Sequence, residues 1–144
     1  MESLDLSKRA PRSPKEELDG VAMLPRTIDK LRATLPGGNI GPYAIRGFSQ
    51  RLLDAIGVSE DQLRDVVAGA RNDQDVAEWL RANANTAAYP EISKLLRNRS
   101  LDDVEDRAGF AKRYPVLEKK PELHYLFDVL EADDADMFPL GSKG

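Results

Sequence analysis

The chain has no cysteine, which excludes disulfides, thiolate metal sites and a cysteine nucleophile. It has one histidine, His124, and one tryptophan, Trp79. No run approaches the roughly 18 uninterrupted apolar residues that a membrane helix needs. Residues 1–9, Met1 to Arg9, lack the apolar stretch of a signal peptide. No segment alternates convincingly with period two, so strands are not required anywhere. A basic excess is missing as well: Asp and Glu number 25 against 21 Lys and Arg, for a net charge of −4. Lys94, Arg97 and Arg99 form a local basic cluster, but no aromatic residues interleave with it to stack on bases. These shortages argue against nucleic acid and membrane as partners, and they favour a bacterial cytoplasm as the setting.

What is present is ordinary for a globular protein: 41% apolar and 32% charged residues in a length of 144. That length is most simply one domain. Residues 1–20 are polar and carry Pro11 and Pro14, and they read as an extended arm that is partly ordered. A helix is expected over 25–35. Pro25 suits its first position, where a missing N–H costs nothing. Leu24, Ile28, Leu31 and Leu35 make its apolar stripe, and Pro36-Gly37-Gly38 stops it. A second helix fits 48–56 with Gly57 as its left-handed cap. A third starts from the capping box Ser59–Gln62, with Val58 stapling to Leu63. A fourth opens at Asn72 or Asp73 and buries Val76, Trp79 and Leu80. Later helices are expected after Pro90, with Ile92, Leu95 and Leu96 inward; after Ser100, through Ala108; and after Pro121, burying Leu123, Leu126, Phe127 and Leu130. The expectation is an all-α fold, a single compact domain of six or seven short helices over 21–138, with a flexible tail over 139–144.

The charged face of the first helix is the best candidate site. At about 100° per residue, Arg26, Asp29 and Lys30 lie together opposite the apolar stripe, with Arg32 at its flank. One reading is a solvated face on which Asp29 pairs with Arg26 or Arg32, worth a few tenths of a kcal/mol. The other is an anion-binding site. Arg26 and Lys30 would take a carboxylate or phosphate beside the Gly-rich loop, which carries Tyr43, and Asp29 would orient them. A further expectation is that Asp29 is buried, between Arg26 and Arg32 or against Tyr43. The loop Gly37-Gly38-Asn39-Ile40-Gly41-Pro42-Tyr43 is not a Walker sequence and follows no strand, so it reads as a turn.

Other residues offer less. His124 falls at a helix edge without an orienting partner or nucleophile in view. Residues 121–144 hold six acidic side chains against Lys143 alone, net −5, which leaves the other 120 residues at +1. The acidic end, Glu131 to Asp136, lacks the Gly and Glu of a calcium loop. It also sits at the negative pole of its helix, so fraying is expected there. Trp79 and Tyr89 read as packing residues. No acid, base, nucleophile or metal set can be assembled, so no metal or cofactor is expected and the catalytic residues are unknown. The function itself stays unknown, with three classes open: a non-catalytic binding or protein-interaction module, a small enzyme or anion binder using Arg26, Asp29, Lys30 and Tyr43, and a structural subunit completed by an identical copy.

Pro11-Arg12-Ser13-Pro14, followed by Leu24-Pro25-Arg26, Asp29-Lys30 and Arg32-Ala33, resembles a bacterial family of unknown function. Asn72-Asp73, Asp75-Val76 and Trp79 look like a second, weaker block of the same family. The resemblance covers about Asp5 to Phe138. It implies that residues 11–20 belong to the folded unit and that the polar face of the first helix matters; it implies no substrate or cofactor. Asp19-Gly20 stands where the family pattern leads one to expect two glycines.

Overall fold

The structure is a computed structural model that describes residues 1–139. It is mostly helical, as the apolar periodicity predicts. Eight α-helices are present among the described residues: α1 (Leu24–Ala33), α2 (Phe48–Ile56), α3 (Glu60–Gly69), α4 (Asp73–Asn83), α5 (Tyr89–Asn98), α6 (Arg107–Arg113), α7 (Val116–Lys119) and α8 (Leu126–Met137). A short antiparallel pair, β1 (Glu17–Leu18) and β2 (Val21–Ala22), sits in the arm. The helix-only expectation missed it because a two-residue ladder carries no periodicity. Asp19 and Gly20 make its turn, both with positive φ, at 53° and 76°.

The middle of the fold is α1. It packs on α2, α3 and β1, while α5 covers β2 and α2. Leu24, Ile28 and Leu31 are fully buried with Leu52, Leu53, Ile56, Leu63, Val67 and Leu80 around them. Each such side chain contributes roughly 1.5–3 kcal/mol by leaving water. Of the ten residues of α1, only Arg32 escapes burial. An amphipathic stripe predicts a helix lying on a surface; this one is covered on its polar side too. The arm does the covering. Leu6, Pro11, Pro14 and Leu18 are all buried, and Met23 donates its N–H to the carbonyl of Pro14 at 2.9 Å.

Local signals decide most boundaries. Gly57 caps α2 with φ 72°, and Ser59 and Gln62 form both bonds of the capping box on α3. Asn72 accepts from Asp75 at the start of α4. The expectations fail further along. Leu95 is 45% exposed while Ile92 and Leu96 are buried, because Ser93 turns inward to accept from the Ala22 N–H at 3.0 Å. Ser100 caps only a 3-10 turn, Leu101–Asp103; the chain then extends at Val104, and Asp106 starts α6 afresh. Pro121 opens no helix. The last one begins after Tyr125, with Phe127 and Val129 buried and Leu123 and Leu130 half-buried. The acidic residues 131–136 continue that helix and do not fray. Of the tail expected over 139–144, residues 140–144 lie outside the described residues.

Candidate functional site

Three and four residues apart on α1, Arg26, Asp29 and Lys30 share one side of the helix. They are 2%, 5% and 7% exposed. The solvated-face reading is therefore excluded, and a charge so buried is costly unless it is paired.

Asp29 finds its partner in the arm. Arg12 donates its backbone N–H to Asp29 Oδ2 at 2.8 Å, and its Nε and Nη2 reach the same carboxylate at 3.0–3.2 Å. Arg12 Nη1 donates to Asp73 Oδ2 at 2.5 Å, from the first residue of α4. Burial opposes the Arg12 charge, but the hydrogen bonds to Asp73 and Asp29 outweigh it and hold the proton more tightly than usual. The expected partners of Asp29, namely Arg26, Arg32 and Tyr43, are not the ones it has. Arg32 points elsewhere, donating from Nε to the Glu2 carbonyl at 2.8 Å. The correction has a plain cause: the flanking prolines Pro11 and Pro14 keep the arm extended, so Arg12 can lie flat across the helix face.

Arg26 finds its partner at the other end of the chain. Its Nη1 and Nη2 donate to Asp134 on α8 at 2.7 and 3.2 Å, and Nη1 also donates to the Arg12 carbonyl at 3.2 Å. Tyr43 donates its hydroxyl to the same Asp134 at 2.7 Å, and its ring lies 5.4 Å from the Arg26 guanidinium carbon. The Phe138 ring stacks beyond it, centroids 6.4 Å apart. Burial first, and the Asp134 charge second, push the Tyr43 hydroxyl well above its usual range. Asp133 beside it is raised to about 6, mainly by burial and then by Asp134 and Asp136.

Lys30 is different. Its side chain makes no hydrogen bond or ion pair among the described residues. Burial, reinforced by the positive charge of Arg26 and only partly offset by Asp134, lowers it to about 7. Among the described residues, the sealed side-chain polar atoms that lack a partner are Arg26 Nε, Tyr89 Oη and Arg99 Nε. One turn of α1 therefore carries two buried cationic side chains with unused donors.

The chain belongs to the family described as a domain of unknown function, DUF5069. That family's model matches residues 8–136, so it takes in the arm, α1 and the Asp134 end of α8. No curated protein matches the chain.

Of the residues singled out from the sequence, the structure brings Arg26, Lys30 and Tyr43 into one cluster and links Asp29 to it through the Arg12 backbone. Arg32 stays outside. His124 is exposed, 3.8 Å from Asp102. The sequence reading missed Asp134 and Asp73 and gave Arg12 no role. A signal for Asp134 existed: it falls four residues after Leu130 and seven after Phe127, on the apolar side of α8. A depression of about 230 Å³ lies elsewhere, lined by Lys15, Arg97, Tyr125 and Asp128 among others. Its cations are already neutralised, Lys15 by Asp128 and Glu131 and Arg97 by Glu17. No group of three or more Asp, Glu or His among the described residues is placed to hold a metal ion.

Proposed function

We propose that the protein is a binding module for a small anion, taken up at the polar face of α1 with Lys30 as the receiving cation. The observation that carries this reading is the lone Lys30 amine. Charging a buried amine that has no hydrogen-bonded counter-ion is costly, and an amine held beside Arg26 gains from a further negative charge brought close to it. A carboxylate or phosphate group brought to Nζ would supply the missing acceptor and restore the proton to the lysine. The protein-interaction alternative has less behind it, since Leu95, Tyr125 and Met137 are the large apolar side chains exposed among the described residues, well short of a docking patch of several hundred Å². A bacterial cytoplasmic setting belongs with this proposal and rests on composition.

The test is calorimetric titration with inorganic phosphate and with acetate at pH 8, run in two buffers of different ionisation heat. The expected result is saturable binding accompanied by proton uptake, absent from Lys30→Met. Equal heats from the wild type and Lys30→Met overturn the reading.

A further inference from the structure

The polar cluster is closed in this structure. Arg26 is 2% exposed and its Nε is sealed without a partner, so anything that meets it must first displace part of its cover. Three segments supply that cover, and they are not equally anchored. The arm is held by the buried Leu6, Pro11, Pro14 and Leu18, and α8 by the buried Leu126, Phe127 and Val129. The third is the loop over 41–47, which has neither helix nor strand and no buried residue.

Only the ends of that loop are fixed. Asn39 accepts from the Leu6 N–H at 2.7 Å and donates to the Leu4 carbonyl at 3.0 Å, and the Gly47 carbonyl accepts from Arg51 of α2 at 3.0 Å. Between them, among the described residues, one hydrogen bond reaches the rest of the protein: the Tyr43 hydroxyl to Asp134, at 2.7 Å. Ile45 adds half-buried apolar contact with the core. The Tyr43 ring, 5.4 Å from the Arg26 guanidinium carbon, is the part that lies on the cation. A segment so thinly held belongs to the low-stability end of a fold, where local opening leaves the core intact. Gly41 and Gly47, with φ 59° and 61°, frame it with the backbone freedom that a hinge needs. We propose that the loop over 41–47 is an autoinhibitory gate: the Tyr43 ring and an incoming anion are alternative covers for Arg26, and binding moves the ring off the guanidinium while α1 and α8 stay in place.

This rests on the anion-binding reading above and adds how the site is kept shut. It also fixes the sign of what Tyr43 does. An anion that binds only the open form has its affinity reduced by the fraction of open form, so Tyr43 opposes binding, whereas a ligand contact would favour it. Tyr43→Phe keeps the ring and removes its bond to the Asp134 carboxylate. A hydrogen bond to a charged group weighs about tenfold or more in such an equilibrium.

Two measurements on the full chain test the gate. Calorimetric titration with inorganic phosphate, at constant ionic strength, compares the wild type with Tyr43→Phe; the variant is expected to bind about tenfold more tightly. Nitration by tetranitromethane, read by peptide mass spectrometry, compares Tyr43 with Tyr125, which is 47% exposed, in the wild type alone. Tyr43 should react more slowly than Tyr125 in the free protein, and saturating phosphate should speed it toward the Tyr125 rate. Weaker or equal binding by Tyr43→Phe overturns the gate and leaves the anion reading standing. Slower nitration of Tyr43 with phosphate overturns it too, since the loop then closes over the anion, and that comparison needs no variant. If neither protein binds phosphate, the anion reading fails first and the gate falls with it.

Discussion

Replacing Lys30 by Met removes a buried amine that has no hydrogen-bonded counter-ion among the described residues. An ordinary lysine titrates near 10.5, and Lys30 in the folded chain near 7. Between those values the unfolded chain holds a proton that the folded chain has released, so the folded state loses stability as pH falls and regains it as pH rises. The penalty integrates to about 4 kcal/mol at pH 7 and to less than about 1 kcal/mol at pH 10. Methionine matches the length of most of the stem and carries no charge, so Lys30→Met should escape the whole pH-dependent part. A constant offset, set by how well the thioether packs, is added at every pH and does not affect the comparison. Urea denaturation of both proteins at pH 7, 8, 9 and 10 measures the difference directly. The variant's advantage should shrink by about 3 kcal/mol across that range. A difference that stays flat to within about 0.5 kcal/mol means that Lys30 titrates like a solvated lysine, and the case for a lone buried amine is then wrong.

Asp134→Asn leaves Arg26 without its carboxylate in a buried site and should cost about 3–5 kcal/mol in urea denaturation; a loss below about 1 kcal/mol, the scale of a surface pair, refutes the assignment. Asp29→Asn should fall at the lower end of that same range, because Arg12 keeps Asp73 as a partner. Asp133 holds its proton to about 6 when folded and to 3.8 when unfolded. The folded state therefore binds more protons in that window, and stability should fall as pH rises from 4 to 6. Asp133→Asn should remove that slope, and an unchanged slope counts against the raised value. Deleting residues 1–20 strips Leu6 and Leu18 from the core and leaves Asp29 without Arg12. Each leucine accounts for roughly 1.5–3 kcal/mol, and an unchanged melting temperature would show that the arm contributes nothing.

The parts of the fold that could be read from the sequence are those that local chemistry decides. Gly57 ends α2 because only a residue free of Cβ takes the left-handed cap easily, and Ser59 with Gln62 starts α3 by satisfying two orphan backbone groups. Ser100 caps as well, with Asp103 in the place of Gln62, yet the chain uses it for a single turn. The candidate site was half legible. Helical spacing placed Arg26, Asp29 and Lys30 on one face, but which face turns inward depends on the arm and α8, far away in sequence. Local reasoning about Asp134 pointed the wrong way. Acidic residues destabilise a helix C-terminus, and here a buried arginine more than repays that cost.

The clip on the Arg12 backbone has a consequence for how the protein comes into being. Arg12 meets Asp29 across 17 positions, whereas Tyr43 and Arg26 meet Asp134 across 91 and 108. Contacts of such separation close late, since loop entropy must be overcome before they yield anything. The helical centre, α1 through α5, can gather from near neighbours, but the polar cluster waits for α8. A growing chain released only as far as Glu131 holds an arginine and a lysine on its central helix without Asp134 of α8 to meet them, so the cluster forms only once α8 is in place.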